Sequence, residues 1–174
     1  MSPRPDRRHF QTLLGEHEGI VFKVATLYAH HAEDRRDLAQ EIGLQAWRSF
    51  VHFDPRKAKF STWLYRVALN VAISQLRKTN GARDARMEPL EQHHLDSIGA
   101  EPATEPDERI ATLYAFIGRL DALNRALILL YLEDKSYAEI AEILGITETN
   151  VATKIGRIKQ TLRGQMTGAA IVGA

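Results

Sequence analysis

The sequence predicts an all-α protein built from two small helical domains, residues 1–80 and 109–167, joined by an acidic flexible linker at 81–108 and followed by a tail at 168–174. Three observations predict it. Apolar residues recur three and four positions apart on both sides of the linker. No run of alternating apolar and polar residues marks a strand. Residues 81–108 hold three prolines, two glycines and eight acids, which leaves too little apolar surface to order a tether.

In chain order, Phe10, Leu13, Leu14, Val21, Val24 and Tyr28 trace a first helical stripe. Leu38, Ile42, Ala46 and Phe50 lie at i, i+4 spacing on a second helix, and Leu64, Val67, Ala68 and Val71 give a third its apolar face. Beyond the linker the periodicity resumes with Ile110, Leu113, Ile117 and Leu120, then Leu123, Leu127 and Leu130. The domain ends in "SYAEIAEILGITETNVATKIGRIKQTLR", residues 136–163. Ser136 and Glu139 have the spacing of a capping box. Gly145 suits the left-handed conformation that ends a helix, and Thr147 can cap the next one, whose apolar positions are Val151, Ile155, Ile158 and Leu162. Two short helices joined by such a turn form a helix-turn-helix.

Composition narrows the class. The 174 residues carry a net charge of only +1 and no cysteine, so disulfides and thiolate metal sites are excluded and a reducing cytoplasm is the expected location. No apolar run approaches the ~20 residues of a membrane span, and "MSPRPDRRHF" lacks the apolar core of a signal peptide. No membrane insertion is expected, and "GAAIVGA" reads as a frayed tail. The small net charge conceals segregation: residues 1–80 carry 13 basic and 8 acidic side chains, residues 81–110 carry 3 and 8, and residues 149–174 carry four basic ones and no acid. Such blocks indicate separate surfaces with separate tasks.

From Arg56 to Asn80 there is no Asp or Glu. Arg56, Lys57, Lys59, Arg66 and Arg77 are interleaved with Phe60, Trp63 and Tyr65, behind the loop "FVHFDPRKAKF" that carries Phe53. On the helix, Thr62, Arg66, Asn70, Ser74 and Arg77 lie close to one stripe that offers amide, hydroxyl and guanidinium groups but no anion. Aromatic rings beside a basic groove suit single-stranded nucleic acid, because bases stack and phosphates pair. Burial in the core is the competing role for Trp63, Tyr65 and Phe53. In the helix-turn-helix, the N-terminal residues of the second helix face base edges in the major groove: Glu148, Thr149, Asn150, Thr153 and Lys154, then Arg157, with Lys159 and Arg163 in reach of phosphates. Upstream, Asp37, Gln40, Glu41 and Leu44 share one face of the second helix, an acidic and amidic patch with an apolar fringe suited to a protein partner.

"DLAQEIGLQAW", "FSTWLYRVALNVAISQLRK" and the helix-turn-helix, in that order across nearly the whole chain, resemble an extracytoplasmic-function sigma factor, the small two-domain branch of the sigma-70 family. The resemblance implies a subunit that directs core RNA polymerase to promoter DNA, held inactive by an anti-sigma factor until a signal. Asp37, Leu38, Gln40 and Glu41 match the segment that docks on the polymerase clamp. Phe53, Arg56, Lys57, Lys59, Arg66, Asn70 and Arg77 fall in the minus-ten segment, where Phe53 and Asn70 match positions lining a pocket for a flipped base. Glu148, Thr149, Asn150, Thr153, Lys154 and Arg157 fall in the minus-thirty-five reader. The linker matches a segment threaded toward the polymerase active-site cleft and RNA exit path, where its acidity suits a channel built for RNA. The sequence departs from the family at Ser74, where many members have Asp, and at Thr149-Asn150-Val151, where Gly-Thr-Val is usual.

No catalytic constellation emerges, so no enzyme activity, metal or cofactor is expected. The paired histidines, His30-His31 and His93-His94, lack a metal-site spacing. Two other functions compete. A helix-turn-helix regulator would bind an operator without polymerase, and a helical adaptor would bind proteins only.

Overall fold

The computed structural model describes residues 5–82 and 108–172, with side chains described from 5 to 79 and from 108 to 166. Most of the expected linker, residues 83–107, and the chain's last two residues lie outside the described residues. The chain divides into two compact units, Met1–Met87 and Glu88–Ala174. Among the described residues there are eight α-helices and no strand.

In the first unit, α1 (Arg7–Glu16) begins at Asp6, whose carboxylate accepts the Arg8 backbone N–H at 2.9 Å. The single stripe expected from Phe10 to Tyr28 is broken at His17. There the backbone leaves the helical region (φ −119°, ψ 19°) and the N–H turns back to the Leu14 carbonyl at 3.2 Å. Gly15 and Gly19 flank the break and weaken helix on either side of it. α2 (Glu18–Tyr28) and α3 (Ala32–Ser49) follow. Glu33 and Asp34 at the start of α3 and Arg48 at its end oppose the helix dipole. A single 3₁₀ turn, Phe50–His52, leads into the loop before α4 (Phe60–Ala82).

Val24, Ile42, Leu64 and Leu69 are fully buried where α2, α3 and α4 meet. At one end of this core Phe10, Phe50 and Phe60 are buried, with Trp47, Phe53 and Trp63 packed around them. The ring centroids lie 5.0 Å apart for Phe10–Phe50 and 5.4 Å for Phe60–Trp63, a range in which aromatic pairs contribute ~0.5–1.5 kcal/mol beyond area burial.

The second unit contains α5 (Glu108–Arg119), α6 (Ala122–Leu132), α7 (Tyr137–Leu144) and α8 (Glu148–Val172). Leu127, Leu130, Ile140, Val151 and Ile155 form its interior. Arg125 is only 6% exposed, and its Nη2 donates to the carbonyls of Gly118 and Leu120, both at 3.1 Å. A buried cation thus satisfies carbonyls at the α5–α6 corner that have no helical partner. The helix-turn-helix has the caps its sequence predicts. The Ser136 hydroxyl accepts from the Glu139 N–H at 3.1 Å, and the Thr147 hydroxyl accepts from the Asn150 N–H at 3.1 Å. Gly145 adopts φ 68°, ψ 34°, and its N–H meets the Ala141 carbonyl at 2.9 Å; a side chain at this backbone conformation would be strained. α8 continues to Val172, so helical backbone enters the segment expected as a frayed tail. No proline interrupts it, and glycine lowers helix propensity without removing a backbone donor.

Candidate nucleic-acid and polymerase interfaces

The polar stripe of α4 follows from its length and its burial pattern. Leu64, Ala68, Leu69 and Ala72 turn inward. That leaves Arg66, Asn70, Ser74 and Arg77 exposed at steps of three and four along the opposite side. Thr62 does not belong with them. It is 8% exposed, one turn before Arg66, where the start of α4 is wrapped by its own unit. Tyr65 is buried and Trp63 half-buried against the aromatic cluster, so both serve as packing residues.

Phe53 joins this cluster. Its ring stacks on Phe50 (5.7 Å, 16°), meets Phe60 edge-on (5.5 Å, 88°) and lies 5.2 Å from Trp63. It remains half-exposed, so it presents a rigid apolar surface backed by the core. Asn70 is exposed two helical turns beyond Trp63, about 10 Å along the same side of α4.

The loop between Phe53 and α4 is organised by Asp54. Its Oδ1 accepts the Arg56 backbone N–H at 2.9 Å and the Arg56 Nε–H at 3.1 Å, and its Oδ2 accepts from Arg56 Nη2 at 3.2 Å. Its backbone carbonyl accepts from the N–H groups of Lys57 and Ala58 at 3.0 and 3.3 Å. The Arg56 side chain, then its backbone N–H, hold the Asp54 carboxyl below its usual range, and Asp54 in turn raises Arg56. The acid-free run that begins at Arg56 hides this partner, which stands two positions upstream. The Asp-Pro dipeptide, a turn initiator, is the signal that could have found it. Lys57 and Lys59 are exposed on the same loop.

On α3, Asp37 and Gln40 are exposed and Glu41 is half-buried, accepting from Gln45 Nε2 at 2.9 Å. Leu44, 42% exposed, supplies the apolar fringe. Leu38, expected in this patch, is a correction. It is 3% exposed and belongs to the core with Ile42 and Ala46, because it lies on the opposite side of the helix from Gln40.

On α8, Glu148, Thr149, Asn150, Thr153 and Arg157 are exposed and Lys154 is half-buried, while Val151, Ile155 and Ile158 turn inward. The Thr153 hydroxyl donates to the Thr149 carbonyl at 2.9 Å, which leaves it acceptor capacity alone for a further partner. Lys159, expected to reach phosphates, instead holds its Nζ 4.3 Å from the Tyr131 ring centroid, a cation–π contact that links α8 to α6. Among the described residues, no helix is long and apolar enough to cross a membrane, and no His, Asp or Glu group is arranged to hold a metal ion.

A basic helix beside an aromatic cluster in one unit, and a helix-turn-helix in the other, are features of a DNA-binding protein. Residues 13–81 match the family model for sigma-70 region 2, and residues 110–162 match that for sigma-70 region 4. The chain is 31% identical over 169 residues to the RNA polymerase sigma-H factor of Pseudomonas aeruginosa, covering 91% of this chain and 86% of that protein. It is 29% identical over 170 residues to the ECF RNA polymerase sigma factor SigW of Bacillus subtilis, covering 92% and 90%. Its fold matches that of CnrH, solved in complex with the cytosolic domain of CnrY (TM-score 0.66, 24% identity, 94% of this chain and 91% of that one). It also matches the sigma factor RpoE of Bartonella quintana, solved with the anti-sigma factor NepR (TM-score 0.66, 17% identity, 95% and 98%). The chain belongs to the extracytoplasmic-function sigma factors of the sigma-70 family. It is therefore a transcription initiation factor that works with core RNA polymerase on promoter DNA, and not an enzyme; the stand-alone regulator and the protein-only adaptor are set aside.

Proposed function

We propose a division of labour within this sigma factor. Residues 1–80 dock core polymerase through Asp37, Gln40 and Glu41 and open the minus-ten region, where Arg56, Lys57, Lys59, Arg66 and Arg77 meet phosphates. Phe53 and Asn70 receive an unstacked non-template base, which offsets part of the opening cost. Residues 109–167 read the minus-thirty-five element through Glu148, Thr149, Asn150, Thr153, Lys154 and Arg157. The observation that carries the reading is the exposed, acid-free stripe Arg66–Asn70–Ser74–Arg77 beside the half-exposed Phe53 ring. Its work with core polymerase puts the protein in the cytoplasm. An anti-sigma factor holds it inactive until a signal, a reading supported by the RpoE–NepR neighbour. The acidic residues 81–108 occupy a basic channel of the polymerase until the growing transcript displaces them.

Transcription in vitro with purified core polymerase, with start sites mapped on genomic fragments, tests the whole scheme. Discrete starts that need this chain are expected. Unchanged starts with core alone would overturn it.

Lys154 and Arg157 allow a finer test. If either side chain contacts a base edge with two hydrogen bonds, its replacement by Ala costs ~1–3 kcal/mol and relaxes one position of the minus-thirty-five element. If it touches only phosphate, binding weakens evenly across sequences and its salt dependence becomes shallower. Selection from a randomised minus-thirty-five library separates these outcomes. Wild-type binding by the double Ala variant would remove α8 from the groove.

A further inference from the structure

Asp54 is the acid nearest the acid-free run in sequence, and it binds that run's first residue three times over. Its backbone carbonyl accepts from the N–H groups of Lys57 and Ala58, and its Oδ1 accepts the Arg56 backbone N–H, so both its backbone and its carboxylate belong to one turn. The carboxylate is therefore held by the turn, and the Arg56 guanidinium is brought to it. A guanidinium presents the same fork of donors to a carboxylate as to a phosphate. Arg56 uses Nε and Nη2 on Asp54 while its side chain stays 89% exposed. A phosphate arriving at this loop must compete with Asp54 for those donors. Lys57 adds only a weaker electrostatic attraction to Asp54, smaller than every contribution of Arg56.

We propose that Asp54 is a specificity-determining residue of the DNA-facing loop: it holds the Arg56 guanidinium on a carboxylate that mimics phosphate, so that only a nucleic-acid strand seated in register takes Arg56 over. The proposal rests on the reading of this loop as a promoter contact. An exposed ion pair is weak. A phosphate fixed by other contacts displaces it easily, whereas a strand held by charge alone gains little from Arg56. The carboxylate thus lowers sequence-independent binding more than it lowers promoter binding.

The test uses holoenzyme assembled from this chain and core polymerase. Binding is measured to a fluorescent single strand carrying the non-template minus-ten region of a mapped promoter, and to a scrambled strand of equal composition. Asp54→Asn keeps an oxygen for the Arg56 backbone N–H but removes the charge. It is expected to bind the scrambled strand about two- to fivefold tighter, the range an exposed pair can supply, with a salt slope steeper by up to about 0.7. The gain on the promoter strand is smaller, so the specificity ratio falls. Asp54→Ser, which also supports the turn, gives the same result. In an Arg56→Ala background Asp54→Asn changes nothing. A gain that persists there would mean simple charge repulsion and overturn the proposal, as would no gain in the Arg56 protein. Lys57→Ala and Lys59→Ala separate the two levels of inference. If they weaken strand binding while Asp54→Asn is silent, only the role of Asp54 fails. If they too are silent, the loop is not a DNA contact and both readings fall.

Discussion

Replacing Asp37 and Glu41 together by Lys should abolish binding to core polymerase without unfolding the protein. Both side chains lie on one face of α3, with Gln40 and Leu44 between and beyond them. The residues that hold α3 in the bundle, Leu38, Ile42 and Ala46, are buried on the other side and are not touched. The double change turns a local charge of −2 into +2. A surface complementary to acids then faces like charge, which costs several kcal/mol, and each 1.4 kcal/mol is a tenfold loss of affinity. The cost to folding is small by comparison. Exposed Asp37 should cost no more than about 0.5 kcal/mol, and half-buried Glu41 loses one hydrogen bond, from Gln45, at about 1 kcal/mol. Retention of core polymerase on the immobilised variant, together with its circular dichroism spectrum and melting temperature, decides the matter. Wild-type retention would move the docking surface elsewhere.

The second large effect is expected after docking. Asn70→Ala and Phe53→Ala should keep core binding and duplex minus-thirty-five contacts but lose promoter opening, seen as absent permanganate reactivity of thymines near the start site. The Asn70 side chain offers both donors and acceptors to a base edge, and stacking on an aromatic ring contributes ~1–3 kcal/mol in single-strand binders. The two variants differ in a second measurement. Asn70 is exposed, so its replacement should leave stability unchanged to within about 0.5 kcal/mol. Phe53 packs against Phe50, Phe60 and Trp63. Its truncation should also lower stability by ~1–3 kcal/mol, less than the 3–5 kcal/mol of a fully buried Phe. Phe53→Leu keeps much of the packing volume and removes the flat ring, so it isolates the stacking role. A template with a pre-melted bubble should restore much of the lost transcription in every variant, because its opening cost is already met. Normal melting by Asn70→Ala would make that residue a solvated helix position and nothing more.

Much of this architecture is legible in the sequence, and the reason is local. Helix caps, a left-handed glycine and a three-to-four spacing act within a few residues. Ser136, Thr147, Gly145 and the apolar positions from Val151 to Ile158 therefore announced the helix-turn-helix. The absence of acids from Arg56 to Asn80 is legible too, and it carries the expectation of an anion-facing surface. Where sequence and structure differ, the deciding partner is distant or the deciding angle fine. Leu38 and Thr62 sit beside polar neighbours in sequence, yet neighbouring helices close over them. Lys159 has the spacing of a phosphate ligand, but its Nζ lies over the ring of Tyr131 from another helix. No sequence signal marks Arg125 for burial; the corner at Gly118 and Leu120 draws it inside.

The sequence by itself thus determined the all-helical class, the helix-turn-helix with its caps, the segregation of charge and membership of the sigma-70 family, since each depends on residue type and short spacing. Tertiary structure decided which side chains remain available. It buried Leu38, Thr62 and Arg125, stacked Phe53 against the core so that only part of its ring is exposed, and set Lys159 over Tyr131. Availability depends on what packs over a side chain in space, and helical periodicity tells which side of a helix turns inward only to within about a quarter turn.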